Sequence, residues 1–218
     1  MSKAIDPQAT ARTRSRYSRI AACYDRLETL AEIGFRPMRK RLWEAVERRV
    51  PPEGQLLEVG VGTGKNIPHW PAGMHITAID LTPKMLEQAQ GKATAQQRQA
   101  ELEIADAQSL PYLDGSFHGA AASFVFCSVP DPLLGLEELK RVVRPGGSIM
   151  LLEHVRSPNG ILGWWMDLLN PIIVRLMGAN INRNTVENVR QSGLEPEQVE
   201  DLGAGGLVKL IIARAPEG

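Results

Sequence analysis

The chain has 218 residues, 43% of them hydrophobic, with 25 Lys+Arg balanced by 25 Asp+Glu. That length suits one domain with a substantial core, and a formal net charge of zero argues against a dedicated nucleic-acid binder, which carries a basic excess. The balance is uneven: residues 1–50 hold 12 Lys+Arg against 6 Asp+Glu. Arg12, Arg14, Arg16 and Arg19 read either as a solvated helix face or as a strip for phosphate or an anionic membrane surface. Cys23 and Cys127 are too few for a disulfide framework, and no CxxC or Cys/His spacing for a metal is present. The N-terminal stretch lacks the apolar core of a secretory signal. The longest apolar-rich stretch, 160–178, is interrupted by Asp167, Asn170, Pro171 and Arg175, which excludes a membrane span. The expectation is a cytoplasmic protein, at most peripheral to a membrane.

In chain order, residues 15–50 read as wholly helical. Beyond residue 54 short apolar runs alternate with helical stretches. Strands are predicted at Gln55–Val59, His75–Asp80, Leu102–Ala105, Ala120–Cys127 and Ser148–His154, the last two as continuous apolar runs expected of strands buried on both faces. Thr82-Pro83 and Asp131-Pro132 are N-cap and first-turn signals for helices after the second and fourth strands, and Pro145-Gly146-Gly147 closes the second of them. A helix is predicted at 160–169 with a break at Asn170-Pro171, another at Thr185–Gln191, and a last strand at Gly206–Ala213. This alternation implies an α/β fold with a parallel sheet covered by helices on both sides. Residues 1–50 are expected as a helical N-terminal lid, 51–218 as the ligand-binding domain, and about 158–184 as an inserted cover.

The informative segment is Leu57-Glu58-Val59-Gly60-Val61-Gly62-Thr63-Gly64. A dinucleotide fingerprint would need glycine where Lys65 stands, and a phosphate-cradling loop would need glycine at Val59 and Ser or Thr at Asn66, so both nucleotide readings fail. What remains is Glu-x-Gly-x-Gly-x-Gly, whose carboxylate would repel a pyrophosphate but suits an ammonium group. Asp80, at the end of the second strand, sits where a carboxylate accepts ribose hydroxyls, and Asp106 ends the third, placed for an adenine amino group. Cation, ribose and adenine without phosphate describe S-adenosylmethionine.

These residues, with Ala-Ile-Asp-Leu-Thr-Pro-Lys-Met-Leu (78–86), Ala-Asp-Ala-Gln-Ser-Leu-Pro (105–111), Asp-Gly-Ser-Phe (114–117) and Arg-Val-Val-Arg-Pro-Gly-Gly (141–147), resemble the class I S-adenosylmethionine-dependent methyltransferases. The resemblance implies that Glu58 and Gly60, Gly62 and Gly64 hold the amino-acid end, Asp80 and Leu81 the ribose, and Asp106 and Ala107 the adenine, with Met85 and Phe124 beside the adenosine. It implies S-adenosylhomocysteine as product, and a Rossmann-like, doubly wound, mostly parallel seven-stranded sheet with helices on both faces. The head, Arg16 to Asp25, is similar to the aromatic lid of the quinone and small-molecule branch, in which Tyr17 or Tyr24 would close over the cofactor. Quinone C-methyltransferases carry an Arg-Asn pair after the fourth strand where this chain has Cys127-Ser128. The combination Phe-Cys-Ser-Val (126–129), Leu-Glu-His-Val (152–155) and Asn-Pro-Ile-Ile-Val (170–174) looks nearer to membrane-associated alkyl-thiol methyltransferases, whose N-terminal anchor is not seen here.

The resulting expectation is methyl transfer to a small apolar or lipid-like acceptor, thiol S-methylation favoured. Phospholipid or amine N-methylation, quinone C-methylation and a non-catalytic cofactor-binding subunit are the alternatives. The cofactor supplies the electrophile, so the protein must orient the acceptor and take its proton where needed. His154, at the carboxyl end of the fifth strand, is the candidate base or a bystander beside the pocket. Cys127 reads as a lining residue of the acceptor pocket. Trp164 and Trp165 suit an acceptor wall, an interfacial helix, a homodimer contact or plain core packing. No nucleic-acid partner is expected.

Overall fold

The computed structural model describes residues 4–27 and 29–217; residues 1–3, 28 and 218 of the two expected divisions lie outside them. Among the described residues six α-helices and seven strands follow in the order α1 (Pro7–Leu27), α2 (Thr29–Arg49), β1 (Gln55–Val59), β2 (His75–Asp80), α3 (Pro83–Ala95), β3 (Glu101–Ile104), β4 (Phe117–Ser123), α4 (Pro132–Val142), β5 (Val143–His154), α5 (Gly160–Met177), α6 (Thr185–Gln191), β6 (Glu195–Asp201) and β7 (Val208–Arg214). They form one sheet ordered β3-β2-β1-β4-β5-β7-β6. Strands β1 to β5 pair in parallel, and β7 runs antiparallel to both β5 and β6.

Side chains alternate across each strand, and both faces are covered. Leu57, Val59, Ala120, Ala122, Ile149 and Leu151 pack under Leu136, Leu139 and Val142 of α4 and Val189 of α6. Leu56, Ala121, Met150 and Leu152 point the other way, onto Leu42, Trp43 and Val46 of α2 and Ala89 and Ala93 of α3. Two-sided burial is why the central strands read as unbroken apolar runs. It also divides the expected N-terminal lid. Helix α2 is a core layer on the sheet, and of residues 1–50 it is α1 that lies across the strand ends.

Several assignments differ from the sequence reading: α4 ends at Val142, so Pro145-Gly146-Gly147 lies within β5 instead of closing the helix, and β6 has no counterpart there. The strand expected over Ala120–Cys127 ends at Ser123, because Phe124 takes φ +58, a left-handed conformation that turns the chain out of the sheet. The break expected at Asn170-Pro171 is absent, and α5 continues through Pro171. Proline's fixed φ is helical and its missing amide bond falls on an exposed turn. The Asn170 side chain also fastens the helix, accepting from the Ile181 amide (2.9 Å) and donating to Asn180. Among the described residues no helix is long and apolar enough to cross a membrane.

Candidate active site

The order of the sheet reverses between β1 and β4, and ligands in open α/β sheets bind outside the strand carboxyl ends at such a point. A cavity of about 370 Å³ lies there. Its first half is made by the ends of β1, β2 and β3. Gly60, at φ +69, turns the chain after β1; a Cβ there would fall 2.4 Å from Val125 Cγ2. Gly62, at φ +55, has open space where a side chain would stand, so its backbone can be approached closely. Its amide donates to Asp80 Oδ2 (3.0 Å), and the Thr82 amide donates to Asp80 Oδ1 (2.8 Å). The Thr82 side chain bonds the same carboxylate, which faces the cavity. Leu81, Met85, Asp106 and Ala107 complete this end.

The second half is made by the ends of β4 and β5. The Phe124 ring stacks on the His154 imidazole (centroids 4.7 Å, 32° between planes), and Phe35 meets the same imidazole edge-on at 5.4 Å. Cys127, Ile173, Ala179 and Ile181 line the wall beside them. Helix α1 roofs both halves. Thr10 donates to Asp106 Oδ2 (3.2 Å), Arg14 to the Leu81 carbonyl (3.1 Å), and Tyr17 shares a short hydrogen bond with Ser128. At its far end Asp25 accepts from Thr63 and Lys92, each at 2.6 Å, while Tyr24 lies under the Lys65 ammonium.

Comparison with known proteins decides the family. A methyltransferase domain profile matches residues 57–151. Demethylmenaquinone methyltransferase of Clavibacter sepedonicus is 33% identical over 75% of this chain and 68% of its own length. Thiol S-methyltransferase TMT1B of Rattus norvegicus is 31% identical over 68% of this chain and 63% of its own length. The chain thus spans about two thirds of the curated relatives it matches. It belongs to the S-adenosylmethionine-dependent methyltransferases. The fold agrees: geranyl diphosphate methyltransferase in complex with S-adenosylmethionine superposes with a TM-score of 0.68 at 17% identity, over 82% of this chain and 84% of that one.

The residues present fit the cofactor of this methyltransferase. The cavity has the size of a small-ligand site, an uncovered glycine backbone stands at Gly62, and Asp80 and Asp106 face the same space, Asp106 with both oxygens held by Gln108 and Thr10. Two expected cofactor contacts are placed differently. Glu58 is fully buried and does not line the cavity; its oxygens accept from Asn66 Nδ2 and Trp70 Nε1, both at 2.6 Å. Burial pushes its carboxyl up to about 7, against the pull of Asn66, Trp70 and Arg39. It therefore acts as a strut behind the glycine loop. Gly64 is also outside the cavity, packed where a side chain would meet Ile67 and the Ala89 backbone. Nor do Trp164 and Trp165 form an acceptor wall. They stand 56% and 48% exposed on α5, and that helix gives the cavity Ile173 from its other side.

Burial pushes the Cys127 thiol up to about 12, with the Glu153 carboxylate adding to the effect, so it stays protonated and acts as wall. Asp80 is likewise raised by burial, with the Thr82 and Gly62 amides opposing.

Sequence reasoning missed Arg39, which is 6% exposed and lines the cavity. Its guanidinium donates to Asn66 Oδ1 (3.1 Å), Ser123 Oγ (2.7 Å) and Glu32 (3.1 Å), and stands 5.2 Å from the Phe124 ring centroid. The signal was present: Arg39 falls on the stripe of Phe35, Leu42, Trp43 and Val46 that α2 buries, and an arginine there needs buried partners. Asp25 was named only within the lid motif, with no sign that Thr63 and Lys92 would hold it.

Proposed function

We propose that this methyltransferase modifies a small apolar acceptor at sulfur. The observation that carries the reading is the composition of the β4–β5 end: aromatic and aliphatic walls around the imidazole of His154. S-adenosylmethionine, when bound, would supply an electrophilic methyl group and leave as S-adenosylhomocysteine once its methyl–sulfonium bond breaks. The protein's part is to hold the acceptor against Phe35, Phe124 and Ile181, exclude water under α1, and remove one proton. A thiol has a reference pKa near 8.5 and needs mild assistance, which an imidazole of reference pKa about 6.5 supplies. Sulfur also packs favourably against aromatic rings. In this scheme His154 takes the S–H proton on a ring nitrogen as the sulfur forms its new bond to carbon. The neutral thioether leaves, and the proton passes to solvent.

Quinone C-methylation is the second reading, favoured by the similarity to a demethylmenaquinone methyltransferase. A ring carbon needs stronger activation than a thiol. The segment after β4 presents Cys127, held protonated, and Ser128, already bonded to Tyr17. Methyl-labelled cofactor offered with an alkyl thiol, a demethylated quinone headgroup or a phospholipid amine separates these possibilities. Label in the thioether product is expected; label in the quinone alone would overturn the thiol assignment.

A further inference from the structure

Eleven large hydrophobic side chains stand exposed among the described residues, and seven are on α5. Ile161, Trp164, Trp165, Leu168 and Ile172 follow helical spacing and make one continuous face, with Ile161 76% exposed. Unpartnered apolar surface of this extent on a single helix marks an interaction site. The charges bordering its carboxyl-terminal end are basic. Arg175 extends the same face three residues beyond Ile172 and is exposed. Beyond it, Arg16 of α1 lies against Gly178, where an added Cβ would fall 2.5 Å from Arg16 Cδ. Arg12 and Arg19 share the face of α1 that carries Arg16, at spacings of four and three, and both are exposed. The acid on α5, Asp167, is matched by Arg156 (2.9 Å) and Asn182.

We propose that α5 is a bilayer-docking helix, lying in the plane of an anionic membrane surface with Trp164 and Trp165 at headgroup depth and Arg12, Arg16, Arg19 and Arg175 on the lipid phosphates. An apolar helix face with an aromatic pair and a basic border is the pattern of an interfacial helix, and its border complements an anionic leaflet. The placement goes beyond the acceptor reading and gives the site a source of acceptor. Ile173 of α5, with Ala179 and Ile181 just after it, lines the cavity, so an apolar molecule dissolved in the bilayer would meet the active site directly behind the docking helix.

The experiment mixes the full chain, without cofactor or acceptor, with vesicles of phosphatidylcholine alone or with added phosphatidylglycerol. Sedimentation is expected to recover at least about tenfold more protein on the anionic vesicles, with the excess falling as salt rises. Tryptophan emission should shift to the blue on binding, a signal from Trp164 and Trp165, since Trp43 and Trp70 are already buried. The double variant Leu168→Ser, Ile172→Ser alters exposed side chains, so its thermal unfolding should match the parent while vesicle binding drops about tenfold or more. No binding, or equal binding to both vesicles, overturns the proposal. So does a lipid-free dimer that the double variant abolishes, which would assign this face to a second copy. Turnover of a soluble thiol is measured separately, so failure of the membrane surface and failure of the acceptor assignment are distinguishable.

Discussion

The two ends of the cavity are built from different materials. At the β1–β3 end the backbone does most of the work. Gly60 and Gly62 hold positive φ, and the Gly62 and Thr82 amides fix the Asp80 carboxylate. At the β4–β5 end side chains from α2, β5 and the stretch after α5 make the wall, around Phe124, which is itself held at φ +58. Strain of that kind at a non-glycine persists only where surrounding structure imposes it, and here Phe35, His154 and Arg39 surround the ring. A backbone-built end binds one ligand type with little room for change. A side-chain wall can be rebuilt for a new acceptor without disturbing the sheet. The β4–β5 end should therefore answer to mutation through turnover and the β1–β3 end through cofactor affinity.

The largest expected effect is at His154. Replacement by phenylalanine keeps a ring between Phe35 and Phe124 and removes the nitrogens. If His154 takes the acceptor proton, His154→Phe lowers kcat by about 10²–10⁴-fold at neutral pH, the usual range for a positioned acid–base group. Cofactor affinity should hardly change. The deficit should shrink as pH approaches the thiol's own pKa, because solvent then supplies the thiolate. A variant with near-parental kcat at neutral pH would make His154 a packing residue.

The same division explains what the sequence made legible. The positions of β1 to β5 and β7 and the β1–β3 end follow from local signals: apolar runs, Pro-initiated helices, glycines at fixed offsets and acids at strand ends; β6, largely exposed, carries no apolar run and is not named in the sequence reading. Those signals did not say that Glu58 would be a strut. Both its oxygens are taken by Asn66 and Trp70, eight and twelve residues further on. Nor did they show Phe124 leaving the sheet, because no residue type there demands positive φ. The roof of α1 depends on long-range pairs such as Thr10 with Asp106 and Tyr17 with Ser128, which no local pattern encodes. The Trp164-Trp165 pair was correctly ambiguous in sequence, since exposed and lining positions of an apolar helix look alike until the sheet fixes which side is inward.

Each end is backed by a buried carboxyl, and they should respond differently to pH. Glu153 Oε1 accepts the Val125 amide (2.9 Å) and the Phe126 amide (3.0 Å), fixing the loop after β4, while Oε2 makes no ordinary hydrogen bond. Burial pushes Glu153 from 4.5 to about 7, with those amides and that of Cys127 opposing. The folded state therefore binds this proton more tightly than the unfolded chain. The associated stability is complete below about 4.5 and is lost as pH rises through about 7. Glu153→Gln keeps an acceptor for the two amides and cannot ionise. Relative to the parent, its unfolding midpoint should rise between about pH 5 and pH 8, by up to roughly 3 kcal/mol or several degrees. Glu58 titrates in the same direction in both proteins and cancels. Glu58→Gln should behave differently, because it sets an N–H against Asn66 or Trp70; turning Asn66 to compensate would oppose its amide to Arg39. That variant should lose stability outright, on the order of 1–3 kcal/mol. Identical pH profiles and offsets in the two variants would erase the contrast.

The most discriminating effect is at Asp80, where loop support and ligand binding have to be separated. Its carboxylate already holds the Gly62 and Thr82 amides, so Asp80→Ala removes a support of the glycine loop together with any ribose acceptor. Affinity for S-adenosylhomocysteine should fall by about 1.5–3 kcal/mol, the value of hydrogen bonds to a charged group. That loss alone does not distinguish a slackened loop from missing ligand contacts. The analogue lacking the 2′-hydroxyl does. A charged acceptor engaged by the ribose makes the parent prefer the ribo form by about tenfold or more, and Asp80→Ala should bind both forms alike. A slackened loop would weaken both analogues by the same factor in the variant and leave the preference intact. Calorimetry of two ligands against two proteins reads this as one coupling term. A coupling of zero would remove Asp80 from the ribose and leave it as the fastener between β1 and β2.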